Sequence, residues 1–395
     1  MSSSMNMLMF ISALGIFQAA LLSGIVYFHP RSDHSVSKFL AFHIFFFCVP
    51  MCTPLIQQFV SWQAMFFMDP FPMLNGPMLY LYIRSFKENI TWRKAWPHLV
   101  LFFIYLIVDT QLYFNFSKIY PLGHVVPEEV VHNPMSILRV CIRLIQLVAY
   151  YFLAMNALTA YQQSIKQLFS ETSKINLGWI RWHVKAYLIL VLLMVGLYFV
   201  ILQKPGHLGI ILLINTSLAT PYIYAITFKG VTQSTLWQFQ GIKKEAAEEE
   251  LHQAEVVSRV INPPKNQKHL GLDSDRTRAL VERTISLMEE QQIFLKPELT
   301  LQNLADELDV PAYQVSQAIN EGLGKTFYDL VNGYRIEEAK RLLLDPKMKN
   351  TKIIAVGLDS GFNSKTTFNT VFKKYTGFTP SDFREYHDKE LANVQ

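Results

Sequence analysis

The sequence predicts an all-α protein in two parts, a seven-helix transmembrane bundle followed by an all-helical domain with two helix-turn-helix units. Three observations predict it. Up to about residue 228 nearly every 20-residue window is apolar enough to lie in lipid, and beyond it no window is. Hydrophobic content is 51% and charged content 17%, against roughly 25% charged in soluble proteins. The stretch from Ile353 to Arg384 reads as helix, glycine-containing turn, helix. The expected boundaries are a seven-span transmembrane domain over 1–228, a helical linker over 229–275 and a double helix-turn-helix domain over 276–395.

Seven spans are expected, at 6–28, 37–60, 64–84, 97–115, 136–161, 183–203 and 207–228. A helix needs about 20 apolar residues to cross the hydrocarbon, and six of these segments supply them. The third is interrupted by Asp69, Pro70, Pro72, Gly76 and Pro77. It is expected to be kinked or partly irregular, which lipid tolerates only where other helices cover the backbone.

Basic residues orient the bundle. Arg31 and Lys38 follow the first span, Arg84, Lys87, Arg93 and Lys94 the third, and Lys166, Lys174 and Arg181 the fifth. The alternate loops are poorer, with Lys118 beside Glu128 and Glu129, and Lys204 by itself. The N-terminus is therefore expected outside and the tail inside, in a bacterial inner membrane. The first span lacks a basic leader and a small-x-small cleavage site, so it reads as a retained helix.

Polar residues inside the spans are few. Arg139, Arg143, Gln146 and Tyr150 fall at spacings of four, three and four, on one face of the fifth span. Asp109 in the fourth span lies at a depth similar to Arg143, in the outer half. Ionisable groups there face the bundle interior and pair. Two readings stand: a structural Asp109–arginine pair, or an outward-facing ligand pocket in which the second arginine leaves positive charge for an anion. His43 reads as a buried, hydrogen-bonded histidine. Cys48 and Cys52 share a helical face without a His or acidic partner at ligand spacing, so they read as apolar filler. The seventh span holds no lysine, against a retinal Schiff base, and no internal repeat suggests a transporter. No nucleophile–base pair, metal set or phosphate loop is found, so neither an enzyme nor a cofactor is expected.

Residues 229–260 read as a polar helix whose apolar positions Leu236, Phe239, Ile242, Leu251 and Val257 keep rough spacing. Too few clean heptads are present to prefer a dimerising coiled coil over a solvated helix. Asn262-Pro263-Pro264 breaks it.

The tail is helical from Asp275. Leu280, Thr284, Leu287 and Met288 line a first amphipathic helix over 279–292. A helix over 301–308, the turn Asp309-Val310-Pro311 and a helix over 312–319 make one unit, with Leu301, Leu304, Leu308, Val315 and Ile319 as its core. A longer helix, 326–344, follows, with Leu330, Ile336, Ala339 and Leu343 inward. In the second unit Gly361 suits a left-handed turn, and Ser364 or Asn363 suits an N-cap. Phe368, Val371 and Phe372 share the packed face, leaving Lys365, Thr366, Asn369, Thr370 and Lys373 outward. Residues 275–345 hold 8 basic against 13 acidic residues, whereas 346–376 hold 6 against 1. Cations supply phosphate affinity, so the second unit is expected to provide most of the backbone grip.

The run Ile354-Ala355, Gly361-Phe362, Phe368, Phe372-Lys373-Lys374-Tyr375, Gly377, Thr379-Pro380 and Phe383-Arg384 resembles the second-unit signature of the AraC/XylS transcription regulators. Arg335-Ile336-Glu337-Glu338-Ala339-Lys340-Arg341-Leu342-Leu343 resembles that family's joining helix. The resemblance covers about 279–386. It implies base-reading roles for Tyr313, Ser316 and Gln317 in the first unit, and for Lys365, Thr366, Asn369 and Thr370 in the second. Asn320-Glu321 departs from it, standing where the family often has basic residues. The membrane half, with Gly76-Pro77-Met78-Leu79-Tyr80, resembles the seven-helix sensor attached to some members. The function expected is thus a membrane-embedded promoter reader that senses a small ligand or other signal, with a homodimer as the simplest coupling. The rival is a transporter or ligand-binding bundle whose tail docks a protein.

Overall fold

The computed structural model describes residues 3–28, 34–52, 55, 59–121, 123, 126–172, 175–203, 208–232 and 274–394. Among them the chain is all-helical apart from one isolated β-bridge, between Phe169 and Thr300. It divides into two compact units, 1–161 with 177–242, and 162–176 with 243–395. Most of the expected linker, 233–273, lies outside the described residues, and with it most of the polar helix expected there and its Asn262-Pro263-Pro264 break.

The first unit is built from α1 (Ser3–Phe28), α2 (His34–Cys48), α3 (Asn75–Ser85), α4 (Val100–Ile119), α5 (Pro134–Leu168, up to residue 161), α6 (Gly178–Gln203) and α7 (Leu208–Thr232). Helix α1 packs on α2 and α7, α2 on α3, and α6 on α7. Three helical stretches are long and apolar enough to cross a membrane by length and composition: Val100–Ile119, Pro134–Leu168 and Gly178–Leu197. The expected third span is not one helix. It runs through short turns at Trp62–Ala64, Met65–Met68 and Phe71–Leu74 before α3 begins, because Pro70 and Pro72 cannot donate to a regular ladder.

The polar stripe of α5 compensates for that break. Arg143 Nη2 donates to the Asp69 carbonyl at 3.0 Å and Gln146 Nε2 to the Met73 carbonyl at 2.9 Å, so main-chain groups freed by the turns find partners. Tyr150, the last of the stripe, sits where a Cβ on Gly76 would fall 2.9 Å from its own Cβ; only glycine fits there. His43 is buried as expected, 3.0 Å from the Asn75 carbonyl, with its ring edge-on to His183.

The second unit joins residues 162–176 to the tail. Its helices are α8 (Ser274–Glu289), α9 (Leu301–Leu308), α10 (Ala312–Gln317), α11 (Phe327–Leu344), α12 (Ile353–Asp359), α13 (Lys365–Thr376) and α14 (Pro380–Val394). Two cores form. One gathers Leu280, Leu287, Met288, Leu301, Leu304, Leu308, Val315 and Ile319 with Phe327, Leu330 and Val331 of α11. The other gathers Val356, Phe362, Phe368, Val371, Phe372 and Phe383 with Ile336, Ala339 and Leu343, from the far half of the same helix. Helix α11 is therefore shared, its two halves belonging to different cores.

Candidate nucleic-acid interface

Each helix-turn-helix is shaped by local chemistry. Thr300 caps α9, accepting from the Asn303 amide at 3.1 Å while the Asn303 side chain takes the Thr300 amide at 3.0 Å; this reciprocal pair satisfies two orphan donors. Asp309 then adopts a left-handed conformation, φ 53°, which ends α9, and Pro311 starts α10. Helix α10 is shorter than expected, loosening into a π-turn over Ala318–Gly322. In the second unit Gly361, φ +88°, makes the turn. A Cβ there would meet the Phe294 carbonyl oxygen at 2.6 Å. Ser364, one of the two expected caps, accepts from the Thr367 amide at 3.1 Å.

The two recognition helices differ in what they expose. On α13, Lys365, Thr366, Thr370 and Lys373 are exposed and Asn369 half-buried, while Phe368, Val371 and Phe372 are buried beneath. Four of the five residues singled out from the sequence thus lie on the outer side of one helix, and Asn369 lies at its edge. On α10, Tyr313 and Gln317 are half-buried, and Gln317 donates to the Glu321 carboxylate at 3.0 Å. Ser316 is 5% exposed, and its hydroxyl accepts from the Asn320 amide at 3.3 Å. The π-turn brings Asn320 over it. The cation contrast also holds in space: Lys347, Lys349, Lys352, Lys365 and Lys373 are exposed or half-exposed around the second unit.

Arg335 was legible only as part of a motif, yet it is the polar centre of the domain. It is fully buried. Its Nε donates to the Phe294 carbonyl at 2.8 Å and its Nη2 to the Lys296 carbonyl at 2.7 Å, while its guanidinium lies 5.8 Å from the Phe362 ring centre. Burial pulls its pKa down to about 10, with the Glu171 carboxylate pushing the other way; it stays a cation at neutral pH. Asp329, on the same helix, accepts from Lys374 Nζ at 3.1 Å and from Tyr375 Oη at 3.3 Å on α13.

The polar cluster of the first unit gains a member absent from the sequence reading. Arg139 pairs with Asp109, 2.7 Å between Nε and Oδ1, and also with Asp69. Arg143 Nη2 is 3.7 Å from the Asp69 carboxylate and donates to Tyr105 Oη at 3.0 Å. Two arginines thus face two carboxylates. The surplus positive charge expected for an anion pocket is neutralised by Asp69, 70 residues from Arg139 in sequence. Cys48 is buried and Cys52 half-buried, and among the described residues no group of three or more His, Cys, Asp or Glu is placed to hold a metal.

Comparison with known proteins agrees with this geometry. The family described as "Helix-turn-helix domain" matches residues 304–386. An uncharacterised HTH-type transcriptional regulator of Staphylococcus aureus strain COL is 29% identical over 115 residues, covering 25% of this chain and 15% of that protein. The corresponding regulator of strain MSSA476 gives the same identity and coverage. An uncharacterised HTH-type transcriptional regulator from the cgkA 5′ region of Pseudoalteromonas carrageenovora is 25% identical over 140 residues, covering 32% of this chain and 81% of that protein. The chain thus spans only 15% of the length of the Staphylococcus relatives. No solved structure matches. The C-terminal part matches a helix-turn-helix domain of AraC type, and the relatives are named as HTH-type transcriptional regulators.

Proposed function

We propose that this chain is a membrane-embedded, sequence-specific transcription regulator. Its tail reads promoter DNA with α10 and α13, and its N-terminal half senses a signal from within or beyond the bilayer. The observation that carries the DNA role is the paired helix-turn-helix, with Lys365, Thr366, Thr370 and Lys373 exposed on a helix whose other face is core. Lysine contacts guanine edges or phosphates, and asparagine pairs with adenine. Two units in one chain suit successive major grooves, about 34 Å apart.

An inverted surface supports the membrane role. Phe10, Phe17, Ile107, Ile145, Ile189 and Phe228 are all largely exposed on the first unit, while Asp109, Arg139 and His43 are buried in it. Water would penalise that apolar exterior; lipid would not. The expected topology draws support from chain order. Residues 162–176 and the tail belong to one compact unit, and α6 and α7 lie between them. An even number of crossings returns the chain to the side it left. With the DNA-reading tail in the cytoplasm, seven spans put the N-terminus outside.

The test uses the full chain in lipid nanodiscs, with DNA fragments that include its own upstream region, over a salt series. Selective, salt-sensitive binding that Lys365→Ala with Asn369→Ala abolishes is the expected result. Absence of selective DNA binding, or binding indifferent to both substitutions, would refute the reading and favour a protein-docking tail.

A further inference from the structure

We infer that residues 166–171 form a brace through which the membrane half holds the two helix-turn-helix units in the alignment that reads DNA. This rests on the DNA role proposed above. The strip touches all three parts of the tail. At the first unit, Phe169 pairs antiparallel with Thr300, the cap of α9. There Ser170 donates to the Leu299 carbonyl from both its amide, at 3.3 Å, and its hydroxyl, at 2.6 Å. At the joining helix, Asn332 Nδ2 donates to the Ser170 carbonyl at 2.9 Å, and Arg335 Nη2 to the Ser170 hydroxyl at 3.3 Å. At the second unit, Thr367 Oγ1 donates to Glu171 Oε1 at 3.2 Å, in the first turn of α13. Leu168 packs on the core of the first unit, and Lys166 Nζ lies 5.8 Å from the Tyr328 ring centre.

This seat is built rather than grazed. Ser170, Asn332 and Arg335 are all fully buried. Withdrawal of the strip would strip the Asn332 amide of the Ser170 carbonyl and open Arg335 to one side. Buried polar groups without partners are costly, so docked and undocked arrangements are distinct states.

The same contacts decide between a brace and a plug. The strip meets α13 at Thr367, on the flank turned from the exposed face, and Lys365, Thr366, Thr370 and Lys373 stay exposed beside it. At the first unit, Gln167 Oε1 accepts from Asn320 Nδ2 at 3.2 Å, beyond the end of α10. A plug would bury the reading face. This strip leaves the exposed face of α13 open and ties together the parts that carry it.

The mechanical link is covalent. Residues 166–168 are the last turn of α5, a single helix of 35 residues that also carries Arg139, Arg143 and Gln146. At 1.5 Å per residue it is about 50 Å long. A turn or shift of α5 is delivered to Ser170 by the helix itself, independently of 229–275. A signal acts by favouring one of the two states.

The experiment uses the full chain in nanodiscs with Cys48, Cys52 and Cys141 replaced by Ala. Phe169→Cys with Thr300→Cys places two thiols at facing positions of an antiparallel pair, about 4.5–5.5 Å apart at Cα, within disulfide reach. Oxidation is expected to form the intramolecular disulfide, and the locked chain to bind DNA as tightly as the reduced one. Ser170→Trp, too large for the seat, is expected to abolish that disulfide in the triple variant and to weaken DNA binding about tenfold, as for a competent state cut to about a tenth. Failure of the disulfide to form would overturn the docked strip, whether or not the Trp variant folds. A locked chain that loses DNA binding, or a Ser170→Trp chain that binds like the parent, would overturn the brace. If the parent itself does not bind DNA selectively, the DNA role falls and the brace with it.

Discussion

The guanidinium of Arg335 lies over the ring of Phe362, 5.8 Å from its centre, and both side chains are buried. Arg335 also holds main-chain carbonyls that precede α9, so one side chain links the first unit to the turn of the second. Arg335→Leu would take the Arg335 donor from the buried Phe294 carbonyl and leave the Lys296 carbonyl with only the Leu299 amide, at about 1–3 kcal/mol. Thermal unfolding should show a large loss for Arg335→Leu and almost none for the exposed Arg341→Ala. Equal effects would contradict the role given to Arg335.

Gly361→Ala should destabilise the second unit by more than about 2 kcal/mol, since left-handed backbone and a close carbonyl act together. The clash is with the Phe294 oxygen, 2.6 Å from an added Cβ. Chemical denaturation, followed through the two cores, checks this; a neutral substitution would show that the turn has another conformation.

Breaking the Asp109–Arg139 pair should cost more than deleting it. Asp109 is fully buried and Arg139 nearly so. Asp109→Asn would leave a buried guanidinium undercompensated, costing about 3 kcal/mol by analogy with other buried pairs. Asp109→Leu with Arg139→Leu should recover part of that loss. Detergent-phase melting of both variants measures the difference, and a double variant less stable than the single would count against the pairing.

Asp329 gives the tail an acid-sensitive contact. Burial pushes its carboxyl up, but hydrogen bonds from Thr326 and Lys374 outweigh this and hold it below the usual range. A carboxyl with a lowered folded pKa stabilises fully above its unfolded value, about 4, and that share is lost as pH falls through the folded value. Lys374 is well exposed, so the share is below about 1 kcal/mol. Melting temperature between pH 6 and pH 3 should fall less steeply for Asp329→Asn than for the parent.

Phosphate contacts should sit on the second unit. Lys365→Ala and Lys373→Ala are each expected to reduce the slope of log affinity against log salt by about 1. Lys325→Ala, beside the first unit, should leave it unchanged. A salt series on one DNA fragment measures all three.

The residues that were legible in the sequence owe it to short-range rules. Leu301, Leu304, Leu308, Val315 and Ile319 keep helical spacing and form one core. Gly361 and Ser364 announce a turn and a cap, and Pro70 with Pro72 announces the broken third span. What was not legible depends on pairing at long range. Asp69 finds Arg139 across 70 residues, and Ser170 finds Arg335 across 165. Neither aspartate nor serine carries a local sign of its partner. The burial of Ser316 was not legible for a related reason, because the π-turn that carries Asn320 over its hydroxyl has no distinctive spacing.

Because α11 is shared between the two cores, its length sets the phase of one reader against the other. Each residue of helix adds about 100° of rotation and 1.5 Å of rise. A single residue inserted between Val331 and Ile336 would preserve both cores in composition, yet swing α13 about a quarter-turn out of step with α10. DNA offers its grooves at a fixed period, so such a chain would grip only one groove at a time. The joining helix acts as a ruler, and its allowed lengths are those that match the pitch of the duplex.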